Sequence, residues 1–326
     1  MRLISVVLLS LFSSVVFAKQ SFEQYLGGVK SEALEQGLQP KIVDEALGSA
    51  KLLHRSIKRD KNQPEFKVTL DSYLAKRLPA WKVAMARRYY RQHYTLLQQV
   101  GQAYGVQPRF IVALWGNETN FGSYTGNIPV ISALATMAYE GRREAFFRTQ
   151  LLDALKILSD KDVTLKDFKG SWAGAFGQVQ FMPSAYLAYA EDYDKEGHPN
   201  IWSSLPDVFA SAANYLKQNH WDPTLTWGRQ IHAPSDLIEK YKGKRMLLSK
   251  WQALGFRRYD GKDLPNRDVE AKLVSPDGPK GRSYLVYSNY QSLMSWNRSN
   301  YFAISVGLLA DQIIWPPLAG LPEATS

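Results

Sequence analysis

The chain has 326 residues, of which 45% are hydrophobic, and it carries a formal net charge of +10. This length and composition allow a sizeable hydrophobic core and exclude a wholly disordered protein. There is no cysteine, which excludes disulfides, catalytic cysteines and zinc–thiolate sites.

The positive charge indicates an acidic polymer as the partner. Nucleic acid, anionic lipid and a cell-wall polymer that bears carboxylates are the candidates. Lysine and arginine nowhere form a run of five or more, and they are distributed over predicted helix surfaces. We therefore do not expect a nucleic-acid partner.

Residues 1–18 have the features of a secretory signal peptide. Arg2 precedes an apolar run, and Val16 and Ala18 are the small residues expected before a cleavage site. The alternative is an uncleaved membrane anchor, but the run is short for a span. No later segment is suited to stable membrane insertion, and no cysteine is present to carry a lipid. We expect a mature protein that is soluble in the periplasm.

The remaining chain divides into five predicted parts on pattern and composition. Residues 19–100 and 101–230 contain apolar residues at spacings of three and four, which predicts helices in both, interrupted by an extended connector at "RDKNQPEFKVTL" and by residues 170–183. In residues 231–290 the segment "AKLVSPDGPKGRSYLVY" has two alternating stretches around a Pro/Gly turn, which predicts a β-hairpin. Residues 291–316 contain a last helix and return to the core, and residues 317–326 form a tail. We predict a mainly α (α+β) fold.

The segment "IVALWGNETNFG", residues 111–122, places a carboxylate where a helical pattern requires an apolar side chain. Ile111, Leu114 and Trp115 form an apolar stripe, and Glu118 takes the next position on it. A buried carboxylate without a partner is costly, or its pKa is driven well upward. This position therefore marks Glu118 as the principal candidate for a functional residue.

Two interpretations of Glu118 are open at this point. It is either a structural carboxylate paired with an arginine such as Arg109, Arg142 or Arg143, or a general acid that keeps its proton near neutral pH. Sugar-cleaving enzymes use a glutamic acid in the second way. No other common catalytic signature is present, and the histidines show no metal-ligand spacing.

The segment "GQVQFMP" contains a pair of amides. Gln178 and Gln180 stand at alternate positions, so in an extended turn both would project to one side. Amides are suited to recognition of sugar hydroxyl and N-acetyl groups, but they also stabilise turns.

The segment "DYDKEGHPN" has the spacing of a calcium-binding loop. Its candidate ligands at positions 1, 3, 5 and 7 are Asp192, Asp194, Glu196 and the backbone carbonyl of His198. Ser203 stands at position 12, where a bidentate glutamate is expected, and Asp207 farther on is the candidate substitute. The alternative is an exposed acidic loop without an ion.

In this order the segments resemble the lytic murein transglycosylases of the membrane-bound B type. The similarity runs from "QPEFKVTLDSYL" (63–74) to "YFAISVGLLAD" (301–311). It is strongest in "YGVQPRFIVALWGNETNFGSYTGNIPVISALATMAY", "KGSWAGAFGQVQFMPSAY" and "NIWSSLPDVFASAANYL". The resemblance implies a lysozyme-like helical catalytic core, here residues 101–230, with an additional helical domain and a small β element.

The resemblance also implies roles for individual residues. Glu118 corresponds to the catalytic acid, and the implied substrate contacts are Tyr73, Ser171, Gln180, Tyr215 and Asn297. This chain departs from the family pattern at Trp296, which replaces the usual tyrosine before Asn297, and at Phe302, where a tyrosine is common. The acidic loop can bind calcium in this family, although here it is one residue longer before Asp207.

The reaction implied by the resemblance needs a single carboxylate. Glu118 would protonate the oxygen between N-acetylmuramic acid and N-acetylglucosamine and then deprotonate the muramyl C6 hydroxyl, which closes a 1,6-anhydro ring. No cofactor is required, and at most a structural calcium ion is implied. Glycan strands of peptidoglycan are the expected partner, other cell-wall enzymes are candidates, and a monomer is expected.

Two alternative functions are kept open. A hydrolytic muramidase on the same fold would need a second carboxylate about 5–9 Å from the first, and only folding could place Glu140 or Glu144 there. A non-catalytic protein that binds the cell wall is the other alternative.

Overall fold

The computed structural model of the protein describes residues 20–61, 68–160 and 162–318. The predicted signal peptide, residues 1–18, lies outside the described residues, as does most of the predicted tail. Within the described ranges there are fifteen helices and seven short strands, and the prediction of a mainly α fold is confirmed.

The helices span most of the described chain. They are α1 (Phe22–Glu35), α2 (Pro40–Gly48), α3 (His54–Lys61), α4 (Leu70–Arg77), α5 (Ala80–Gln92), α6 (Tyr94–Tyr104), α7 (Pro108–Thr119), α8 (Val130–Glu140), α9 (Glu144–Ser159), α10 (Pro183–Tyr189), α11 (Leu205–Gln218), α12 (Ser235–Tyr241), α13 (Leu248–Ala253), α14 (Ser288–Trp296) and α15 (Asn300–Ile314). The strands are β1 (Ile128–Pro129), β2 (Lys169–Gly170), β3 (Gly228–His232), β4 (Arg245–Leu247), β5 (Arg257–Arg258), β6 (Glu270–Val274) and β7 (Ser283–Val286).

Helix α7 lies at the centre of the larger hydrophobic core. It contacts α5, α6, α11 and α15, so residues 109–117 are buried on every side of the helix. Ile111 and Leu114 have no solvent exposure, as the apolar stripe predicts. Helix α15 brings residues from the far end of the chain to α7, and its Leu309 is also fully buried.

A second, smaller core lies in the region predicted to form a β-hairpin. Strands β6 and β7 pair in antiparallel register, with Lys272 opposite Val286, which agrees with the hairpin prediction. They form the middle of a five-stranded antiparallel sheet with the order β4-β6-β7-β3-β5. The additional strands have two to five residues each, too few to show a periodicity in the sequence. Trp251 and Phe256 are fully buried in this smaller core.

The turn of the hairpin reaches the start of α4. The carboxylate of Asp277 accepts a hydrogen bond from the backbone N–H of Leu70 at 2.7 Å and another from the hydroxyl of Tyr301. Arg282, on the other side of the turn, binds Asp71 in the first turn of α4. The small β region therefore holds the position of α4.

Three predicted domain limits fall inside elements. The limits at 100/101, 230/231 and 290/291 lie within α6, β3 and α14 respectively. Composition changes along the chain are gradual, whereas a helix or strand continues wherever its backbone hydrogen bonds continue. No helix in the described ranges combines the length and apolar character that a membrane span requires.

Candidate active site

Glu118 lies in the last turn of α7, where the chain reverses sharply. Pro108 in the first turn suits the helix start, since its missing N–H has no helical acceptor there. After Thr119 the backbone passes through three left-handed residues, Asn120, Phe121 and Gly122, with φ values of 54°, 60° and 76°. Such a run is costly for non-glycine residues, so the surrounding contacts must hold it.

The side chain of Gln178 supports this reversal. Its Oε1 accepts the indole N–H of Trp115 at 2.8 Å, and its Nε2 donates to the carbonyl of Trp202 at 3.0 Å. A Cβ at Gly122 would lie 2.3 Å from Gln178 Oε1, so only glycine fits there. The amide of Gln178 is used inside the structure, and the interpretation that it projects with Gln180 toward substrate is wrong.

The carboxyl of Glu118 is partly buried and has one direct partner among the described residues. The indole Nε1 of Trp296 donates a hydrogen bond to Glu118 Oε1 at 2.7 Å. Burial raises the pKa of Glu118 from 4.5 to about 7, against the lowering effects of the Trp296 hydrogen bond and the charges of Arg77 and Lys82. Glu118 can therefore hold or release a proton near neutral pH.

The arginines considered as structural partners of Glu118 are engaged elsewhere. Arg142 and Arg143 both bind the buried carboxylate of Asp60, at 2.7 and 3.1 Å. Arg109 donates to a threonine hydroxyl at 3.2 Å. The interpretation of Glu118 as one half of an ion pair with these residues is wrong, because its carboxyl meets the indole N–H of Trp296 and not an arginine.

The positive charges of Arg77 and Lys82 lower the pKa of Glu118. Neither side chain forms a salt bridge with a carboxylate among the residues that the structure describes. Arg77 of α4 donates to the hydroxyl of Tyr73 at 3.3 Å and to the carbonyl of Asn117 at 3.5 Å. Burial and, to a smaller extent, the charge of Arg77 lower the pKa of Lys82 of α5 to about 8, against the opposing charge of Glu118. This positive field favours the ionised form of Glu118 once its proton has left.

A cleft of about 700 Å³ contains two of the predicted substrate contacts. Tyr73 and Asn297 both line it, together with Arg77, and Trp172 and Met182 supply an apolar wall. The ring of Tyr73 is nine-tenths buried, and the guanidinium of Arg77 lies 5.7 Å from its centre. The structure thus brings together residues from α4, the 170–183 segment and the end of α14.

Ser171 and Gln180 shape the turns beside this cleft. Ser171 Oγ accepts the backbone N–H of Ala175 at 3.1 Å, immediately before Trp172 of the cleft wall. Gln180 has a left-handed φ of 51°, and its Nε2 donates to the carbonyl of Thr125 at 2.9 Å. In this structure the amide nitrogen of Gln180 stabilises the turn, in line with the second of the two interpretations.

Tyr215 packs against Trp296, the residue that donates to Glu118. The two ring centres are 4.6 Å apart, and the Tyr215 hydroxyl donates to the carbonyl of Ser295 at 2.7 Å. The sequence marked Trp296 only as a departure from the family pattern and assigned it no role. Its position next to Asn297 was the available signal, but its contact with Glu118 depends on how α14 packs.

The comparisons with known proteins were decisive for the family. The profile described as the Transglycosylase SLT domain matches residues 21–311. The chain belongs to this family. Over 232 residues it is 31% identical to the membrane-bound lytic murein transglycosylase B of Escherichia coli (strain K12). The alignment covers 69% of this chain and 62% of that relative, so this chain spans less than two thirds of the relative's length.

Solved structures of SLT-domain proteins have the same fold. SltB3 from Pseudomonas aeruginosa, in complex with NAG-NAM-pentapeptide, matches with a TM-score of 0.86 and 38% identity, over 90% of this chain and 80% of SltB3. Its complex with NAG-anhNAM-pentapeptide matches with a TM-score of 0.85. Slt35 from Escherichia coli, in complex with calcium, matches with a TM-score of 0.75 and 27% identity, over 90% of this chain and 92% of Slt35. The resemblance to the membrane-bound B type and the lysozyme-like fold are confirmed.

The acidic loop of this SLT-domain chain gathers three of the predicted metal ligands. Carboxylate oxygens of Asp192, Asp194 and Asp207 lie within 4.8 Å of one another. Asp207 is fully buried at the start of α11 and accepts the backbone N–H groups of Tyr193 and Asn200, each at 2.7 Å. This geometry agrees with the expectation that Asp207 takes the place of the glutamate that is missing at position 12 of the loop.

Glu196 and His198 are not part of this group of side chains. Both are exposed, and the backbone N–H of Glu196 donates to Asp192 Oδ1 at 2.9 Å. Glu196 as a side-chain ligand is therefore wrong in this structure, because the loop closes on Asp192 through its backbone and leaves the Glu196 side chain outside. His198 was expected to contribute only its carbonyl oxygen.

Proposed function

We propose that the protein is a lytic transglycosylase that cleaves the β-1,4 bond between N-acetylmuramic acid and N-acetylglucosamine in peptidoglycan. The single observation that carries the proposal is the partly buried Glu118, which accepts the N–H of Trp296 next to the cleft residue Asn297 and whose pKa of about 7 suits both an acid and a base. Membership of the SLT family and the muropeptide complexes of SltB3 support the same substrate.

In the first half of the reaction Glu118 is the general acid. It gives its proton to the bridging oxygen as the bond from this oxygen to muramyl C1 breaks. The acetamido group of the substrate stabilises the positive charge that develops at C1. Burial keeps the proton on Glu118 until the substrate arrives, since a carboxyl of ordinary pKa would already be ionised at neutral pH.

In the second half Glu118 is the general base. The glutamate takes the proton of the muramyl C6 hydroxyl, and the C6 oxygen forms a bond to C1 and closes the 1,6-anhydro ring. The charges of Arg77 and Lys82 and the N–H of Trp296 stabilise the glutamate between the two steps. Glu118 ends the cycle protonated, and no water is consumed.

The hydrolytic alternative needs a second carboxylate, and Glu144 is used elsewhere. Its Oε1 accepts the hydroxyl of Tyr25 at 3.0 Å and lies 3.8 Å from Arg148, at the contact between α1 and α9. A muramidase would release reducing-end sugars, whereas the proposed reaction releases 1,6-anhydromuramyl ends.

The test of the proposed function is Glu118→Gln, assayed by mass detection of products from purified sacculi. The amide keeps the shape but has no transferable proton, so we expect a loss of about 10²–10⁴-fold or more. Glu144→Gln is the matched control and should retain its activity. A folded Glu118→Gln protein that still releases anhydromuramyl products at the normal rate would refute the proposal, and reducing-end products from the unchanged protein would support a muramidase.

We also propose a structural calcium ion at Asp192, Asp194 and Asp207. Oxygen atoms within 4.8 Å of one another match the spacing around an ion with Ca–O distances of about 2.3–2.6 Å. The ion would balance three adjacent negative charges and order the loop before α11. The calcium complex of Slt35 supports this assignment. No catalytic role is proposed for the ion.

For location and partners, we propose export to the periplasm with cleavage after Ala18 and action on glycan strands there. Tyr73, Ser171, Gln180, Tyr215 and Asn297 remain the proposed substrate contacts, and a monomer remains the expected state. Other cell-wall enzymes are the proposed protein partners. Cell fractionation with N-terminal sequencing tests the location, because a membrane-bound protein that begins at Met1 would contradict it.

A further inference from the structure

The indole ring of Trp296 is fixed by packing on more than one side. Its centre lies 4.6 Å from that of Tyr215 and 5.4 Å from that of Phe181, and Tyr215 is itself held by the carbonyl of Ser295. The ring therefore presents its N–H to Glu118 from a defined direction.

In the contact between Trp296 and Glu118, the indole can act only as the hydrogen-bond donor. An indole nitrogen donates a hydrogen bond and cannot accept one, and at neutral pH it does not give up its proton. With the N–H directed at Oε1 at 2.7 Å, a proton on that oxygen cannot point at the indole nitrogen without repulsion. The two oxygens of Glu118 are thus made inequivalent by their surroundings.

We propose that Trp296 is a positioning residue that holds the transferable proton of Glu118 on Oε2. This inference rests on the proposed function and adds to it the identity of the oxygen that gives and then retrieves the proton. Oε1 stays an acceptor of the indole N–H throughout the cycle, and the same bond stabilises the glutamate after the first step.

The departure from the family pattern at this position has a chemical consequence. A tyrosine hydroxyl, usual at the position of Trp296, can donate or accept, so it is compatible with a proton on either carboxyl oxygen. An indole can only donate, so it favours the arrangement in which Oε1 is the carbonyl oxygen, the better acceptor, and the proton is on Oε2.

The other charged groups that act on Glu118 do not reproduce this effect. Arg77 of α4 and Lys82 of α5 lower the pKa of Glu118 through their charge. In the part of the chain that the structure describes, neither donates a hydrogen bond to its carboxyl, and Arg77 donates instead to Tyr73 and to the carbonyl of Asn117. A charge at longer range stabilises the glutamate but does not select one oxygen. Trp296 is the direct donor from α14.

The test is Trp296→Phe, which keeps an aromatic ring and removes the N–H. We expect kcat to fall roughly 10- to 100-fold, the effect of one hydrogen bond to a charged group, with KM little changed. The alkaline limb of the kcat/KM profile, near pH 7 in the unchanged protein, should move to higher pH because the lost N–H no longer lowers the pKa of Glu118.

Two further variants separate this role from packing. Replacement of Trp296 by 3-benzothienylalanine keeps the bicyclic shape and exchanges the N–H for sulfur, so it should reproduce the Trp296→Phe profile even if that variant folds poorly. Trp296→Tyr restores a donor and should recover part of the rate. Trp251→Phe, which removes an indole N–H bonded to the Ala271 carbonyl in the smaller core, is the control and should lower stability without moving the pH profile.

An unmoved alkaline limb in a folded 3-benzothienylalanine variant would overturn the inference and leave Trp296 a packing residue. This outcome is distinct from failure of the proposed function, which Glu118→Gln reports independently.

Discussion

At the scale of single residues, the site consists of one carboxyl whose neighbours act on its proton in opposite directions. Burial raises the pKa of Glu118, while the N–H of Trp296 and the charges of Arg77 and Lys82 lower it. Because the proposed reaction uses one group first as an acid and then as a base, an intermediate pKa serves both steps better than a strong shift in either direction.

This balance predicts how stability depends on pH. Below pH 4.5 Glu118 is protonated in both the folded and unfolded states, and between pH 4.5 and about 7 only the unfolded state ionises. The stability associated with Glu118 is therefore complete below pH 4.5, declines as the pH rises and is fully lost above about pH 7. The melting temperature of Glu118→Gln relative to the unchanged protein should rise across this window and then remain constant.

Thermal melts of both proteins at matched pH values check this expectation, since other titrating groups cancel in the difference. A relative melting temperature that stays constant across this window and falls instead as the pH rises toward 4.5 would mean that an ion pair stabilises the carboxylate and lowers its pKa.

At the scale of elements, the acidic loop and α11 depend on each other. Asp207 in the first turn of α11 accepts backbone N–H groups of Tyr193 and Asn200, so the helix start fixes both ends of the loop. Asp192 and Asp194 are then held close to this buried carboxylate. Like charges at this spacing repel, and a divalent cation would relieve the repulsion.

Calcium should therefore raise the melting temperature of the unchanged protein. Extracellular calcium modules bind at about 10⁻⁴–10⁻³ M, so millimolar calcium is expected to saturate the site. Asp194→Ala should abolish the increase, whereas Glu196→Ala, at an exposed carboxylate outside the group, should preserve it. If millimolar calcium does not change the melting temperature of the unchanged protein, the proposed calcium site is refuted. If Asp194→Ala and Glu196→Ala both lose the increase, the proposed set of ligands is contradicted.

At the scale of the whole molecule, the small β region contacts the helix that forms one wall of the proposed catalytic cleft. The hairpin turn holds Asp277 against the backbone of Leu70 and the hydroxyl of Tyr301. Helix α4 begins at this point and carries Tyr73 and Arg77 into the cleft. The β region thus determines where one wall of the cleft lies.

Asp277→Ala removes both of these hydrogen bonds and should loosen the start of α4. We expect a stability loss of about 1–3 kcal/mol, typical of an unsatisfied polar group, and a several-fold increase in KM with sacculi. The control is Asp263→Ala, which breaks an exposed ion pair with Arg257 in the same region and should change little. An unchanged KM in a destabilised Asp277→Ala protein would show that the turn stabilises the fold without positioning the cleft.

Features that depend on neighbours along the chain could be predicted from the sequence. The stripe of Ile111, Leu114 and Trp115 identified Glu118 because helical periodicity assigns each residue to a face without any other element. The β6–β7 hairpin and the spacing of Asp192 and Asp194 were visible for the same reason. The family resemblance, carried by motifs in order, located the catalytic core.

Contacts between distant segments were decided by the tertiary structure alone. Trp296 is 178 residues from Glu118 in the chain, and no local pattern indicates that its N–H would meet that carboxyl. The use of Gln178 inside the structure, the exclusion of Glu196 from the acidic group and the hold of Asp277 on α4 are of the same kind. Local spacing specifies the face of an element, but only the packing of several elements decides which side chains meet there.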